Sequence, residues 1–185
     1  DIAYQGFGKG LVEDVEPVRY FVNEQLRMLV AYTYAKNMGL YGERVGALFA
    51  VSDKKEIAQK IGTHIKQIIR GMYSNPPLHG SRIVERVLKD AALRTEWVHE
   101  LKAMRERINE MRTAFITGLL SKESNTHYQF LNQNQSGLFI YTGLNEFQTD
   151  RLRHDFGIYI PDGRINVAGL NSNNMDYVIE SILSV

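Results

Sequence analysis

Apolar positions follow two different rhythms along this chain, and they divide it into elements before any chemistry is considered. Val18, Phe21, Val22 and Leu26 fall on one face of a helix predicted over residues 12–26, with Pro17 near its start. Residues 28–32 and 45–51 are almost unbroken apolar runs, short enough for buried strands. Continuous apolar strands separated by helices predict a parallel sheet covered on both faces. Asp53, with Glu56 three residues on, has capping-box spacing and opens a helix running to about Arg70. Asn75-Pro76-Pro77 then breaks the chain, and Gly80 lies in the start of another helix.

The clearest periodic signal lies in residues 91–120. Trp97, Leu101, Met104, Ile108, Met111 and Phe115 alternate spacings of four and three, which draws one apolar stripe on a long helix. At about 30 residues such a helix spans roughly 45 Å, long enough to bridge two domains. Residues 123–137, rich in Asn, Gln and Ser, read as a loop. Residues 138–142 read as a strand, and Asn145 as the cap of a helix ending near Gly157. Residues 158–160 and 164–167 resemble two paired strands joined through Pro161-Asp162-Gly163, and residues 174–183 close the chain as a helix. The plan is an α/β part followed by a smaller α+β part.

Composition changes this picture little. The 185 residues are 44% hydrophobic and 23% charged, as in an ordinary globular protein. A net charge of +1 offers no global field for nucleic acid or an anionic membrane. There is no cysteine, which excludes disulfides and thiolate metal sites. No apolar run reaches the roughly 20 residues of a membrane span. The chain opens on Asp1 rather than Met, which leads us to expect a start in mid-protein. The histidines at 64, 79, 99, 127 and 154 show no metal-ligand spacing, and Gly6-Phe7-Gly8-Lys9-Gly10 lacks the ending of a phosphate-binding P-loop.

The candidate chemistry centres on Lys36, which follows an apolar strand and precedes the turn formers Asn37 and Gly39. A lysine that forms a Schiff base reacts as the free amine, so a desolvated pocket with nearby cations suits it. Arg44, eight residues on, has the planar fork that suits a phosphate dianion. By spacing alone, an ordinary strand-to-loop turn with an exposed Lys and Arg is the better reading. However, the whole segment Thr33-Tyr34-Ala35-Lys36-Asn37-Met38-Gly39-Leu40-Tyr41-Gly42-Glu43-Arg44-Val45-Gly46 closely resembles the cofactor-lysine segment of class I aminotransferases, in their aspartate-type branch.

That resemblance implies that Lys36 carries pyridoxal 5'-phosphate, with Thr33 supplying a hydroxyl and Arg44 a cation to its phosphate. Asp1-Ile2-Ala3-Tyr4-Gln5-Gly6-Phe7 resembles the family segment whose aspartate pairs with the pyridine nitrogen and whose tyrosine bonds the ring hydroxyl. A carboxylate beside that nitrogen keeps it protonated, so that the ring accepts electrons. Arg70, in Arg70-Gly71-Met72-Tyr73-Ser74-Asn75-Pro76-Pro77, matches the arginine that recognises the distal carboxylate in the neighbouring subunit's site. Arg82 competes for that role, but its place within a helix suits the surface better. Arg164, in Gly163-Arg164-Ile165-Asn166-Val167-Ala168-Gly169-Leu170, matches the arginine that binds the substrate α-carboxylate. Phe139 stands where the family packs an aromatic near that carboxylate, and it reads as core rather than site.

The resemblance covers essentially the whole chain but only the second half of the family's length. It implies the C-terminal part of a fold-type I large domain over residues 1–100, a mostly parallel sheet with helices on both faces. A smaller α+β domain over 101–185 is entered through the long helix. It further implies a homodimer, cytoplasmic with an organelle left open, that exchanges amino groups between aspartate or glutamate and 2-oxoglutarate or oxaloacetate. An aromatic-preferring aminotransferase of the same class is the alternative; a non-catalytic oligomerisation or binding module is another. On its own the chain, lacking half of the large-domain sheet, is expected to expose strand edges and to be inactive.

Overall fold

The computed structural model describes residues 1–122, 128–132 and 135–185. They form two compact units, Asp1–Lys102 and Ala103–Val185. In the first, a short 3-10 turn leads into α1 (Glu16–Asn23), with Pro17 in its first turn where a missing N–H costs nothing. Strands β1 (Met28–Thr33) and β2 (Gly46–Val51) follow, then α2 (Lys55–Tyr73), α3 (His79–Lys89) and the start of α4 (Ala91–Lys122).

β1 and β2 pair antiparallel, from Met28 opposite Val51 to Thr33 opposite Gly46. Parallel pairing was the expectation from their apolar content. The physical reason for the difference is the connection: residues 34–45 form turns without a crossover helix, and a chain that doubles back directly makes an antiparallel pair. Mostly parallel sheets commonly carry such an antiparallel strand. Nor are these two strands covered on both faces. Leu29, Leu48 and Phe49 are exposed, and α2 buries no residue fully while Ile68 and Met72 face solvent. Gly46 permits a close approach to β1, because a Cβ there would collide with the backbone of Tyr32 and Thr33.

The expected cap at Asp53 is not formed. Lys54 begins α2 without a side-chain cap, and the Asp53 carboxylate instead takes two bonds from Arg27, at 2.8 and 3.3 Å. A guanidinium fork offers a carboxylate stronger bonds than backbone amides do. Asp14 holds the segment before α1 together. Its oxygens accept from the N–H groups of Gly6, Gly8, Lys9 and Gly10, at 2.7 to 3.3 Å.

The second unit contains the rest of α4, a short 3-10 turn at Gln129–Asn132, β3 (Phe139–Tyr141), α5 (Glu146–Phe156), β4 (Arg164–Asn166) and α6 (Met175–Leu183). Ile108, Phe115 and Leu119 of α4 are buried, and so are Ile140, Leu152, Ile165, Val167, Ile179 and Ile182. Met104, placed on the stripe by its spacing, is exposed. Asn145 closes a full capping box with Gln148, and Gly157 ends α5 in the left-handed conformation, as the sequence indicates. Residues 158–160 are not a strand. β4 pairs antiparallel with β3 instead, with Tyr141 opposite Arg164. Of the predicted loop 123–137, residues 123–127 and 133–134, with His127, lie outside the described residues.

Candidate active site

The turn between β1 and β2 carries Lys36. Thr33 starts it: its hydroxyl donates to the Val45 carbonyl at 3.2 Å and accepts from the Ala35 N–H at 3.1 Å. Tyr34 closes it from inside, its carbonyl accepting from Met38 N–H and its N–H donating to Val45. Gly39 takes a φ of +66°, and its N–H bonds back to the Lys36 carbonyl at 3.2 Å. Lys36 is thus held on a closed, locally bonded turn and is itself half-buried.

Two aromatic rings receive its amine. Lys36 Nζ lies 4.2 Å from the centroid of Tyr41 and 5.8 Å from that of Tyr4. Each such contact with a ring face is worth about 0.5–1 kcal/mol where water has access. Among the described residues, no carboxylate pairs with Lys36. Tyr4, named from the sequence, is therefore beside Lys36; Tyr41 was not singled out there. Its only signal was a place five residues after the lysine on a turn of unknown path.

Arg44 closes the same turn, with its backbone at a φ of +51°. A residue with a Cβ adopts that left-handed conformation at a cost of about 1 kcal/mol, and such outliers gather at functional sites. Its Nη1 donates to the Tyr41 carbonyl at 2.8 Å, which leaves most of the fork open to solvent. Asp1 is exposed and accepts from Ala3 N–H at 2.8 Å, which shapes the segment leading to Tyr4. Ile2 N–H bonds the Ala31 carbonyl at 3.0 Å, so this segment is fastened to β1 just before the Lys36 turn.

Beneath the turn lies a polar centre that sequence reading missed. Asn37 is 1% exposed, and its Nδ2 donates to the Gln5 carbonyl at 3.2 Å and to the Tyr32 hydroxyl at 2.7 Å. Trp97 of α4 donates its indole N–H to the Asn37 carbonyl at 2.7 Å. Burial raises the Tyr32 hydroxyl's pKa above its ordinary value, against the opposing effect of the bond from Asn37; burial alone raises that of Tyr34. Both phenols therefore stay protonated at neutral pH. For Asp14, burial favours the neutral acid, but the hydrogen bonds from Lys9, Gly8, Gly6 and Gly10 prevail and hold its carboxyl below 3.8.

Arg70 sits exposed in the last turn of α2, where Nη1 donates to Ser74 Oγ at 2.7 Å. Arg82 is exposed on α3. In the second unit, Arg164 is exposed on β4 with its guanidinium carbon 4.5 Å from the Phe139 ring centroid. Phe139, expected in the core, is half-buried, and its ring is the platform on which Arg164 rests. Among the described residues, Arg44, Arg70 and Arg164 have no carboxylate partner, so all three forks remain available for an anion. The same residues contain no group of three or more potential metal ligands, and no described helix is long and apolar enough to cross a membrane.

The family model described as "Aminotransferase class I and II" matches residues 1–182. The chain is 46% identical over its whole length to an aspartate aminotransferase of Haemophilus influenzae, and covers 47% of that protein. It is 44% identical to a cytoplasmic aspartate aminotransferase of Oryza sativa subsp. japonica, over 98% of the chain and 45% of the relative. A crystal structure of an aromatic-amino-acid aminotransferase from Burkholderia pseudomallei, covalently bound to pyridoxal phosphate, superposes with a TM-score of 0.90. The identity there is 44%, and the match covers 98% of this chain and 46% of that one. The chain thus spans about half the length of the relatives it matches. Its α/β fold is part of the larger fold-type I architecture, and the chain belongs to the class I and II aminotransferases.

Proposed function

We propose that this chain is part of a pyridoxal-phosphate-dependent aminotransferase that exchanges amino groups between aspartate or glutamate and 2-oxoglutarate or oxaloacetate. The observation that carries this reading is Lys36: a half-buried amine on a closed turn, facing the rings of Tyr4 and Tyr41, with no carboxylate partner among the described residues. Arg44, strained and with an open fork on the same turn, fits a phosphate dianion. The Thr33 hydroxyl is engaged with Val45 and can reach a phosphate oxygen only by rotating away from it. Asp1 supplies the carboxylate for the pyridine nitrogen, and Tyr4 the phenol for the ring hydroxyl. The donor set therefore fits pyridoxal phosphate, which when bound supplies an electron sink for the bond to the substrate α-carbon.

Lys36 Nζ holds the cofactor and, once released by the incoming amino group, moves the α-proton as base and then as acid. Arg164, stacked on Phe139, binds the α-carboxylate through two of its N–H donors and orients the substrate. Arg70 selects a second carboxylate and serves the neighbouring subunit's site in a homodimer. Residues 1–100 belong to the cofactor-binding large domain, and residues 101–185, entered through α4, to the small domain. The rice relative's location favours a cytoplasmic enzyme. Borohydride reduction of the full-length protein with pyridoxal phosphate, followed by mass spectrometry, tests the reading. The pyridoxyl mass is expected on Lys36, and its absence there refutes the assignment.

The likeness to an aromatic-amino-acid aminotransferase favours one second reading, an aromatic preference within the same chemistry. Competition between substrates separates the two. Faster turnover of phenylalanine or tyrosine than of aspartate overturns the aspartate assignment and leaves Lys36 in its role.

A further inference from the structure

We infer that Asn37 is a positioning residue that sets the place of Lys36 relative to Tyr4. It rests on the proposed role of Lys36 and goes beyond it, because the Asn37 side chain donates to groups other than the amine and the cofactor. Three separate stretches of chain converge on this one buried residue. Its side-chain amide donates to the carbonyl of Gln5, the residue that directly follows Tyr4. The same amide donates to the Tyr32 hydroxyl on β1. Its own carbonyl accepts from Trp97, which reaches it from α4. Lys36 is the adjacent residue, so every one of these bonds is one peptide from the amine's own backbone.

The amide nitrogen has two N–H groups, and both are engaged. The pair of acceptors therefore fixes the side chain in two directions, from the Tyr4 segment on one side and from β1 on the other. Asn37 Oδ1, in contrast, is buried without a hydrogen-bond partner. A buried carbonyl oxygen without a partner costs free energy that a hydrophobic residue here would not incur. The site carries that cost together with a buried amide, so the two N–H bonds are the feature this position retains. They leave Tyr4 and Lys36 on a single rigid bracket, with the ring centroid 5.8 Å from the amine. The rest of the Tyr4 segment is equally constrained: Ile2 is bonded to Ala31, and Gly6 to Asp14.

The test uses the full-length protein loaded with pyridoxal phosphate, and the variants Asn37→Ala, Tyr4→Phe and the double variant. Three quantities are read: the pyridoxal phosphate dissociation constant, the visible circular dichroism of the bound cofactor, and the pyridoxyl mass on Lys36 after borohydride reduction. Asn37→Ala is expected to keep the pyridoxyl mass, to weaken cofactor binding about tenfold and to diminish the visible dichroism. The double variant is expected to bind no worse than the weaker single one, because both changes act through Tyr4, and residues in one network couple by amounts of this size. Should Asn37→Ala not fold, Asn37→Ser is read in its place, since a single hydroxyl donor cannot serve both acceptors. Losses that multiply in the double variant overturn the inference, as does an unchanged dissociation constant and dichroism. A merely structural role would lower thermal stability without this coupling. Absence of the pyridoxyl mass from Lys36 in the parent protein refutes the proposed function itself, and this inference with it; its presence confines any failure to Asn37.

Discussion

Replacing Gly163 with alanine would test how Arg164 is held. Gly163 has a φ of +66°, and a Cβ built on it lies 2.7 Å from the Leu144 carbonyl oxygen and 3.4 Å from both Leu144 N and Thr142 Oγ1. The nearest obstacle is backbone, which cannot swing aside. The left-handed conformation alone costs an alanine about 1 kcal/mol. Relieving the contact also pulls the Gly163 carbonyl from its two donors, Thr142 N–H at 2.8 Å and Thr142 Oγ1 at 2.7 Å. Thr142 is fully buried, so a stranded donor has no water to turn to, and one such loss costs about 1–3 kcal/mol. Together the substitution should destabilise the β3–β4 pair by about 2–4 kcal/mol. Native-state hydrogen exchange on peptides spanning residues 138–167 of the full-length protein measures this directly, as a fall in local protection. Because Arg164 is the next residue, KM for the amino-acid substrate should rise as well. A protection loss below about 1 kcal/mol with KM unchanged would refute the account of Gly163 as the obligatory corner.

Four further substitutions carry expectations of their own. Asp14→Ala should cost about 2 kcal/mol by leaving four backbone N–H groups of the Gly6–Gly10 segment without their acceptor, read as lost amide protection there. Since the folded Asp14 carboxyl titrates below its unfolded value of 3.8, its contribution is complete above that value and is lost as pH falls through the lower, folded one. The acid-dependent part of that protection should therefore vanish in the variant, and its persistence would exclude Asp14 as the source. Arg164→Lys keeps the charge but loses the fork and the stack on Phe139, so KM for aspartate should rise about tenfold or more, whereas Arg70→Ala should lower the preference for aspartate over phenylalanine. Steady-state kinetics with both substrates decides each case; equal losses for the two substrates in Arg70→Ala would remove it from the distal-carboxylate role. Asn145→Ala should destabilise α5 by about 1 kcal/mol by opening its capping box, measurable as exchange in residues 146–149.

The elements with local signatures were legible in the sequence. α5 announced itself through Asn145 and Gly157, and α4 through its stripe, because caps and helical periods are fixed by neighbours three or four residues away. Strand partnership was not legible. An apolar run states that a strand is buried somewhere but not which strand lies beside it, and the sense of the β1–β2 pair came from the connection. Residues 158–160 failed for a related reason: β3, some twenty residues upstream of β4, took the pairing instead. Asp53 had the spacing of a cap, yet Arg27 competed for it from across the hairpin. In the candidate site, Lys36, Thr33 and Arg44 could be named from one contiguous motif, and Tyr4 from a second at residues 1–7. Asn37 and Trp97 could not, because their meeting depends on a contact between residues sixty apart.

That last contact also sets an order of assembly. The Lys36 turn closes a hairpin whose bonds join nearby residues, and local contacts of this kind cost little loop entropy and form early. The Trp97 bond to Asn37 must wait until α4 has been made and docked. A nascent chain therefore possesses the lysine proposed to hold the cofactor before it possesses the brace behind it. Capture of an aldehyde by the half-formed hairpin would be loose and reversible, and would tighten only when the indole arrives. Refolding in the presence of pyridoxal phosphate should accordingly show cofactor retention lagging behind hairpin formation, with the lag set by α4.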